Sequence, residues 1–221
     1  MKSIGRWLLW VVLAGLALQL FFVLRVALMV VVDPQSTAFM RSEAWRVAGQ
    51  SLRSDKDWRW SAQWVDYDEI SPHLKRAVMA SEDAGFAEHD GVDWSAIEAA
   101  WVKNERRQEL VEKRTAQLER KLAKKPEAAE AAIKAIKPPK VIGGSTITQQ
   151  LAKNLLLSGE RNLLRKGQEL MLALTLDALL SKQRILEIYL NSVEWGEGVF
   201  GAEAAAQRYF KTPAAKLSAS D

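Results

Sequence analysis

The chain has 221 residues, 48% of them hydrophobic, with two histidines and no cysteine. This apolar share excludes a disordered chain, and the lack of cysteine excludes a disulfide framework, a thiolate zinc site and a cysteine nucleophile. The formal net charge of +4 suits phosphate or a membrane surface and does not by itself indicate nucleic acid. At roughly 150 residues per domain, the length allows one domain with appendages.

The N-terminal segment has the composition of a membrane anchor. Residues 7–32 contain only two strongly polar side chains, Gln19 and Arg25. As a helix this segment would extend about 39 Å, enough to cross a hydrocarbon core of roughly 30 Å with tilt. Lys2 and Arg6 precede it, so the positive-inside rule predicts a cytoplasmic N-terminus. No small-residue cleavage site follows, and we expect the anchor to remain uncleaved.

Helix signals dominate the remaining sequence. No window shows sustained period-2 alternation, so the sequence predicts an all-α fold. Ser71 followed by Pro72 is typical of a helix start, Asp93 is expected to cap a second helix, and Ser145 a third that ends near residue 157. Further helices are predicted at 162–180, 181–191 and 202–210.

A charged segment separates the second and third of these helices. Between about 104 and 140 the composition changes to Lys, Arg, Glu and Ala with a basic excess, broken at Pro126. Dense charge with weak apolar periodicity predicts a solvated helical arm. Binding of this arm to anionic lipid headgroups is the alternative.

The first polar segment with candidate chemistry runs from residue 81 to 91. It places Glu82 just after an apolar helix, beside Asp83 and Phe86. A carboxylate whose solvation is limited by an aromatic ring accepts a proton more readily, which makes Glu82 a candidate general base. Taken alone, such an acidic loop is more often a solvated turn.

The second polar segment, 143–154, begins with two glycines and continues into a helix. A Gly-Gly turn lets a ligand approach free backbone N–H groups at a helix start, which is an anion-binding arrangement, and Lys153 adds a cation. Thr146, Gln150 and Lys153 share one helix face. An ordinary capped amphipathic helix is the alternative.

The last two segments are ambiguous when taken singly. Arg165 and Glu169 lie one helical turn apart, so a surface ion pair is the simplest interpretation, and phosphate binding by Arg165 and Lys166 is the functional one. The segment 182–191 alternates apolar and polar positions in a way that mostly indicates packing.

In combination and order, these segments closely resemble the five motifs of the peptidoglycan glycosyltransferases, family 51 of the glycosyltransferases. The matching stretches are Glu82-Asp83-x-x-Phe86-x-x-His89-x-Gly91, Gly143 to Asn154, Arg165-Lys166-x-x-Glu169, Lys182 to Asn191, and Gly196 to Phe210. The resemblance covers roughly residues 64–217 and, with the anchor, points to the monofunctional biosynthetic form.

The resemblance implies a lysozyme-like, two-lobed helical fold that polymerises lipid II. The acceptor's 4-hydroxyl attacks C1 of the lipid-linked donor, undecaprenyl diphosphate leaves, and the anomeric centre inverts. It further implies a single-pass protein of the bacterial inner membrane with its catalytic domain in the periplasm. No resident cofactor, metal site or nucleic-acid partner is expected, assistance by a divalent cation stays open, and cell-wall synthesis or division proteins are candidate partners.

The family roles transfer to individual residues. Glu82 is implied as the base, Glu169 as its catalytic support, and Lys153, Arg165 and Lys166 as ligands of the diphosphate. The other implied substrate contacts are Asp83, Phe86, His89, Ser145, Thr146, Gln149, Gln150 and Asn154. The expected organisation is a cytoplasmic terminus at 1–6, the anchor at 7–32, a membrane-proximal linker at 33–63 and the glycosyltransferase domain at 64–221.

Other functions are also compatible with parts of the sequence. A lysozyme-type lytic transglycosylase shares the lone catalytic glutamate but has no use for a Lys/Arg cluster. A non-enzymatic membrane scaffold would use only the charged arm. A nucleotide-sugar transferase could use an Asp-x-Asp pair at 55–57 or 66–68, but no alternating strand–helix pattern surrounds either. A bifunctional penicillin-binding protein would need Ser-x-x-Lys, which does not occur in this sequence.

Overall fold

The computed structural model describes residues 2–51, 60–122, 132–136, 138, 141–157 and 162–221. Within them the helices are α1 Lys2–Leu28, α2 Ala38–Ser51, α3 Pro72–Glu82, α4 Trp94–Lys121, α5 Ile147–Leu156, α6 Leu163–Leu179, α7 Lys182–Ser192 and α8 Ala202–Tyr209. Short 3₁₀ helices occupy Tyr67–Glu69 and Ala214–Lys216, and the strands are β1 Ser61–Ala62, β2 Glu194–Gly196 and β3 Val199–Phe200. The chain forms two compact units, one of residues 1–92 with 146–221 and one of residues 93–145.

Helix α1 is long and apolar enough to cross a membrane over Ser3–Leu28. It ends at Leu28, one turn before the predicted end of the anchor. The N–H of Met29 donates to the carbonyl of Val26 at 2.9 Å, and the next two residues repeat this i→i−3 pattern. Such 3₁₀-type bonds tighten a last helical turn, and Pro34 then disfavours helix in the residue before it.

Helix α2 was missed by the sequence analysis, which treated 33–63 as a linker. Its start is capped by Thr37, whose Oγ1 accepts the N–H of Met40 at 2.9 Å. Threonine before a helix-compatible run is a recognisable N-cap signal. The weak segregation of apolar and polar residues along α2, with Trp45 exposed, explains why periodicity did not reveal it.

The core of the larger unit is built around α5. Ile147, Leu151 and Leu155 recur at four-residue spacing and are fully buried, which places one face of α5 against its neighbours α6, α7 and α2. Each such side chain contributes about 1.5–3 kcal/mol on burial. Helix α5 therefore holds a fixed position from which its polar face can present functional groups.

A small sheet accompanies the predicted helical fold. Strands β2 and β3 form an antiparallel hairpin, and β1 pairs in parallel with β3. Strands of two or three residues are too short to show period-2 alternation, so the sequence could not reveal them. Gly201 follows β3 with φ of +86°, and a Cβ there would lie 2.8 Å from the carbonyl oxygen of Asn191, so only glycine fits this turn.

The unit of residues 93–145 is organised by α4. Asp93 caps it as predicted, with its side chain accepting the N–H of Ala96 at 2.8 Å. Asn104 then bonds both backbone groups of Ile142, at 2.8 and 2.9 Å. We call these two bonds between Asn104 and Ile142 the clamp. After Asn104, most α4 side chains are exposed. The predicted break at Pro126 and the Asp-x-Asp pair at 55–57 lie outside the described residues.

Candidate active site

The candidate base is an exposed carboxylate tied to a neighbouring helix. Glu82 is the last residue of α3, and its Oε2 accepts a hydrogen bond from Nε2 of Gln150 at 3.0 Å. Gln150 lies in the first half of α5. The contact therefore joins the first and second sequence motifs, which are 68 positions apart along the chain at these two residues.

Asp83 has a different environment from its neighbour Glu82. It is buried, both its carboxylate oxygens lie 3.0 Å from Nε2 of His89, and Oδ2 accepts the N–H of Ile147 at 2.9 Å. A carboxylate is favoured at a helix N-terminus by the dipole and the unpaired N–H groups. Asp83 and His89 therefore bond each other and the start of α5 in the structure, and their implied contacts with substrate stay predictions.

The start of α5 is also closed by its own side chains. Thr146 is the N-cap, and not Ser145 as predicted. Thr146 Oγ1 accepts the N–H of Gln149 at 3.1 Å, and Gln149 Oε1 accepts the N–H of Thr146 at 3.0 Å. The Thr146 hydroxyl also donates to the carbonyl of Gly91 at 2.6 Å.

These bonds form a capping box that holds two backbone donors. Thr146 and Gln149 are buried and their side chains bond each other's backbone, so their implied contact with substrate stays a prediction. Of the backbone N–H groups at this helix start, which the sequence predicted to be open to an anion, that of Ile147 is bonded to the carboxylate of Asp83 within the protein.

Phe86 packs in the interior next to His89 of the same motif. Its side chain is buried, its ring meets that of His89 edge-on with centroids 6.3 Å apart, and Nζ of Lys182 lies 5.0 Å from its centroid. Lys182 also bonds Asp177 at 2.7 Å and the carbonyl of His89. The prediction that Phe86 shields Glu82 is wrong, because the glutamate is exposed and the ring packs inward.

A second cluster lies in the first turns of α6. Arg165 Nη1 lies 2.8 Å from Glu169 Oε2, and Lys166 bonds the other oxygen of Glu169. The Glu169 side chain is only 4% exposed, against 17% for Arg165 and 49% for Lys166. One buried carboxylate thus pairs with a partly buried arginine and a half-exposed lysine, and the trio keeps a net positive charge.

Lys153 stands on α5, one turn beyond Gln150. It is exposed, and within the described residues no ion pair engages it. Asn154 beside it is partly buried. Across the described residues, no group of three or more His, Asp or Glu side chains converges so as to hold a metal ion.

Tyr189 on α7 makes a polar contact through its hydroxyl, whereas the sequence pattern indicated that this residue only packs in the core. Its hydroxyl donates to Oε1 of Gln150 at 3.1 Å. Burial raises the pKa of Tyr189 to about 12, and the negative charge of Glu82 adds to the effect. The hydroxyl therefore stays protonated at any physiological pH, and it belongs to the same network as the candidate base.

Comparisons with known proteins show the family to which the chain belongs. The model of a family described as Transglycosylase matches residues 52–127 and 123–221. A biosynthetic peptidoglycan transglycosylase of Cupriavidus metallidurans is 48% identical over 217 residues, covering 96% of this chain and 79% of the relative. Proteins of the same name from Ralstonia nicotianae and Burkholderia thailandensis are 50% and 47% identical, covering 96% and 99% of this chain and 79% and 73% of each relative.

The chain therefore belongs to the transglycosylase family. This confirms the resemblance read from the five motifs and the lysozyme-like, mainly helical fold that it implied.

Proposed function

We propose that the protein is a membrane-anchored peptidoglycan glycosyltransferase that polymerises lipid II into β-1,4-linked glycan and releases undecaprenyl diphosphate. The observation that carries the proposal is the exposed Glu82 carboxylate, held by Gln150 on the same helix that presents the exposed Lys153. A base bonded to the helix that carries the cation matches the two requirements of this transfer, namely activation of a hydroxyl and stabilisation of a departing diphosphate.

In this mechanism Glu82 is the general base. The acceptor's 4-hydroxyl attacks C1 of the donor sugar while its proton passes to the carboxylate of Glu82. The C1–O bond to the diphosphate breaks, and its electron pair leaves with the diphosphate. The α configuration at C1 of the donor is thereby inverted to that of the new β-1,4 bond. An exposed carboxylate at the end of a helix can be reached by an incoming sugar hydroxyl.

Lys153, Arg165 and Lys166 are proposed to bind the leaving diphosphate. Arginine offers a planar fork for phosphate oxygens, and lysine acts as a compact point charge. Glu169 pairs with both Arg165 and Lys166 in the absence of donor, so its proposed role is to orient and balance them. The diphosphate then supplies the second negative charge that the trio lacks.

The environment of α6 supports placing this cluster near a lipid surface. Leu163 and Leu164, directly before Arg165, are 90% and 88% exposed. Gln168 exchanges side-chain amide hydrogen bonds with Gln19 of α1, at 2.7 and 3.1 Å. A helix that touches the anchor and exposes leucines is suited to a substrate whose tail lies in the bilayer.

The localisation that we propose is a single pass through the bacterial inner membrane, with the N-terminus in the cytoplasm and the catalytic domain in the periplasm. A reporter fused after Asp221 should be active only on the periplasmic side, and cytoplasmic activity would reverse this topology. We also propose cell-wall synthesis or division proteins as partners, to be tested by crosslinking in cells.

The central experiment is incubation of the purified full-length protein in detergent with labelled lipid II, followed by gel separation of the products. We expect a ladder of glycan strands that lysozyme digests. A lytic transglycosylase would instead shorten preformed glycan, and a scaffold would leave lipid II unchanged. The mechanism invokes no resident cofactor, and a parallel reaction with EDTA tests whether a divalent cation assists diphosphate departure.

A further inference from the structure

We infer that Tyr189 is a positioning residue for Glu82 and acts through the side-chain amide of Gln150. The inference rests on the proposed function, since it concerns the same base. It also gives Gln150 a different role from the substrate contact implied by the family resemblance.

The direction of each hydrogen bond follows from which groups can donate. An ionised carboxylate only accepts, so the end of the Gln150 amide that lies 3.0 Å from Glu82 Oε2 must be the NH₂ group. Oε1 of Gln150 then faces Tyr189 and only accepts, so the tyrosine hydroxyl must donate across the 3.1 Å contact. The three groups form a chain with a single consistent polarity.

The chain of hydrogen bonds begins in the core, at Tyr189, and ends at the surface, at Glu82. Tyr189 is 3% exposed and follows Ile188, which is fully buried on α7. Gln150 is partly buried and Glu82 is exposed. The rigid end of the network is therefore the tyrosine, and the flexible end is the carboxylate. Because the pKa of Tyr189 is raised to about 12, the donated proton is not lost at working pH.

These hydrogen bonds also determine which carboxylate oxygen of Glu82 is free to act as the base. Gln150 occupies Oε2, and no hydrogen bond to Oε1 of Glu82 occurs within the described residues. Oε1 is therefore the atom left to take the proton of the acceptor hydroxyl. Without the tyrosine, the Gln150 amide could rotate and place its oxygen against the carboxylate, so the glutamate would lose its partner and sample more rotamers.

The first test is Tyr189→Phe in the full-length protein, which keeps the buried ring and removes only the hydroxyl. We expect kcat for lipid II polymerisation to fall about 10-fold, in line with the loss of one oriented hydrogen bond. KM and the affinity for a phosphoglycolipid inhibitor should stay within about twofold. Tyr67→Phe is the matched control, because no hydrogen bond of the Tyr67 hydroxyl occurs within the described residues.

The second test is a double-mutant cycle with Gln150→Leu. If Tyr189 acts through Gln150, Tyr189→Phe should reduce kcat by less than about twofold in the Gln150→Leu background. Independent, multiplicative losses would overturn the inference, as would an unchanged kcat in Tyr189→Phe alone. If Tyr189→Phe lowers the melting temperature, Gln150→Leu serves as the second variant, because Gln150 is partly exposed and its loss should leave the protein folded. An unchanged kcat in Gln150→Leu would also overturn the inference. If the wild-type protein does not elongate lipid II, the proposed function itself has failed.

Discussion

Asp83 Oδ2 accepts the backbone N–H of Ile147 at 2.9 Å, which closes the N-terminus of the helix that carries Gln150 and Lys153. The adjacent Glu82 is exposed and accepts a hydrogen bond from the side chain of Gln150 on the same helix. Two neighbouring acids of one motif therefore have different tasks, because one is buried against a helix start and the other is accessible to substrate. Substitutions of Asp83 and of Glu82 should therefore have distinguishable effects.

Asp83→Asn should mainly reduce stability. The asparagine amide keeps one acceptor oxygen but loses the charge that the helix N-terminus and His89 share. A hydrogen bond to a charged group is worth about 1.5–3 kcal/mol, and we expect the free energy of unfolding to fall by about that amount. Denaturant unfolding in detergent measures it, with the exposed Asp90→Asn as control. A stable variant without turnover would instead give Asp83 a part in the chemistry.

Glu82→Gln should remove turnover and leave the fold intact. Loss of a general base typically costs about 10²–10⁴ in rate, whereas glutamine retains the size of the side chain. Single-turnover polymerisation of labelled lipid II measures the loss, and donor or inhibitor binding should be nearly normal.

Glu169→Gln is the matched comparison, since it also replaces a carboxylate by an amide. Glu169 is buried and bonded to Arg165 and Lys166, so we expect weaker donor binding and more residual turnover than in Glu82→Gln. If Glu82→Gln keeps more than about a tenth of the rate while Glu169→Gln is inactive, the two roles are reversed.

Much of this arrangement was predictable where the signal is local. Ser71 and Asp93 cap their helices as the sequence indicated, because a cap depends on a few consecutive residues. The order of the motifs was enough to identify the family, whereas the roles of Glu82 and the cations stay predictions. The error at Ser145, where Thr146 is the cap, arose because both residue types are good caps and only the Gln149 partner distinguishes them.

The contacts that organise the site were not predictable from local patterns. Tyr189 meets Gln150 across 39 positions, and Asp83 meets Ile147 across 64. A tyrosine on an apolar helix face looks like core packing until the fold shows what its hydroxyl touches. The assumption that Phe86 covers Glu82 failed for the same reason, since adjacency in sequence does not determine which way a side chain turns.

Lys153→Ala and Arg165→Ala should weaken donor-side binding. Both side chains are proposed to contact phosphate, so the variants should also bind phosphoglycolipid inhibitors that resemble the donor, such as moenomycin, less tightly. Arg165→Lys should not rescue fully, because lysine cannot form a bidentate contact. Inhibitor titration measures the affinities, and the exposed Lys216→Ala controls for charge alone. Unchanged affinity in both alanine variants would remove phosphate binding from their roles.

Replacement of residues 105–136 by a short Gly/Ser linker should keep most turnover in detergent. The side chains from Glu105 to Leu110 are exposed, and the clamp of Asn104 on Ile142 lies outside the replaced stretch. Polymerisation should be compared in detergent and on vesicles with and without anionic lipid. Loss confined to anionic vesicles would favour headgroup binding by the arm, and loss in detergent from a folded variant would make the arm part of the site.

Arg184→Lys should loosen the junction between the anchor and the catalytic domain. Arg184 donates to the carbonyl of Met29 at 2.8 Å, and its two terminal nitrogens pair with Asp33 and Glu187, both at 2.7 Å. Burial lowers the pKa of Arg184, but the two carboxylates outweigh it and the pKa is raised overall. A raised pKa gives stability that is lost only as pH rises through that pKa, so alkaline buffers short of it should not open this junction.

Lysine has one nitrogen on a flexible stem and can replace only part of this arrangement. Limited proteolysis in detergent, with cleavage sites mapped by mass spectrometry, should show faster cutting within residues 29–36 of Arg184→Lys than of the wild type. Arg76→Lys is the matched control, because Arg76 is exposed and, among the described residues, its side chain bonds the Pro72 carbonyl and the His73 ring of its own helix. Equal cleavage rates in the wild type and Arg184→Lys would show that packing of the apolar residues around Val26 and Met29, and not the guanidinium, secures the anchor.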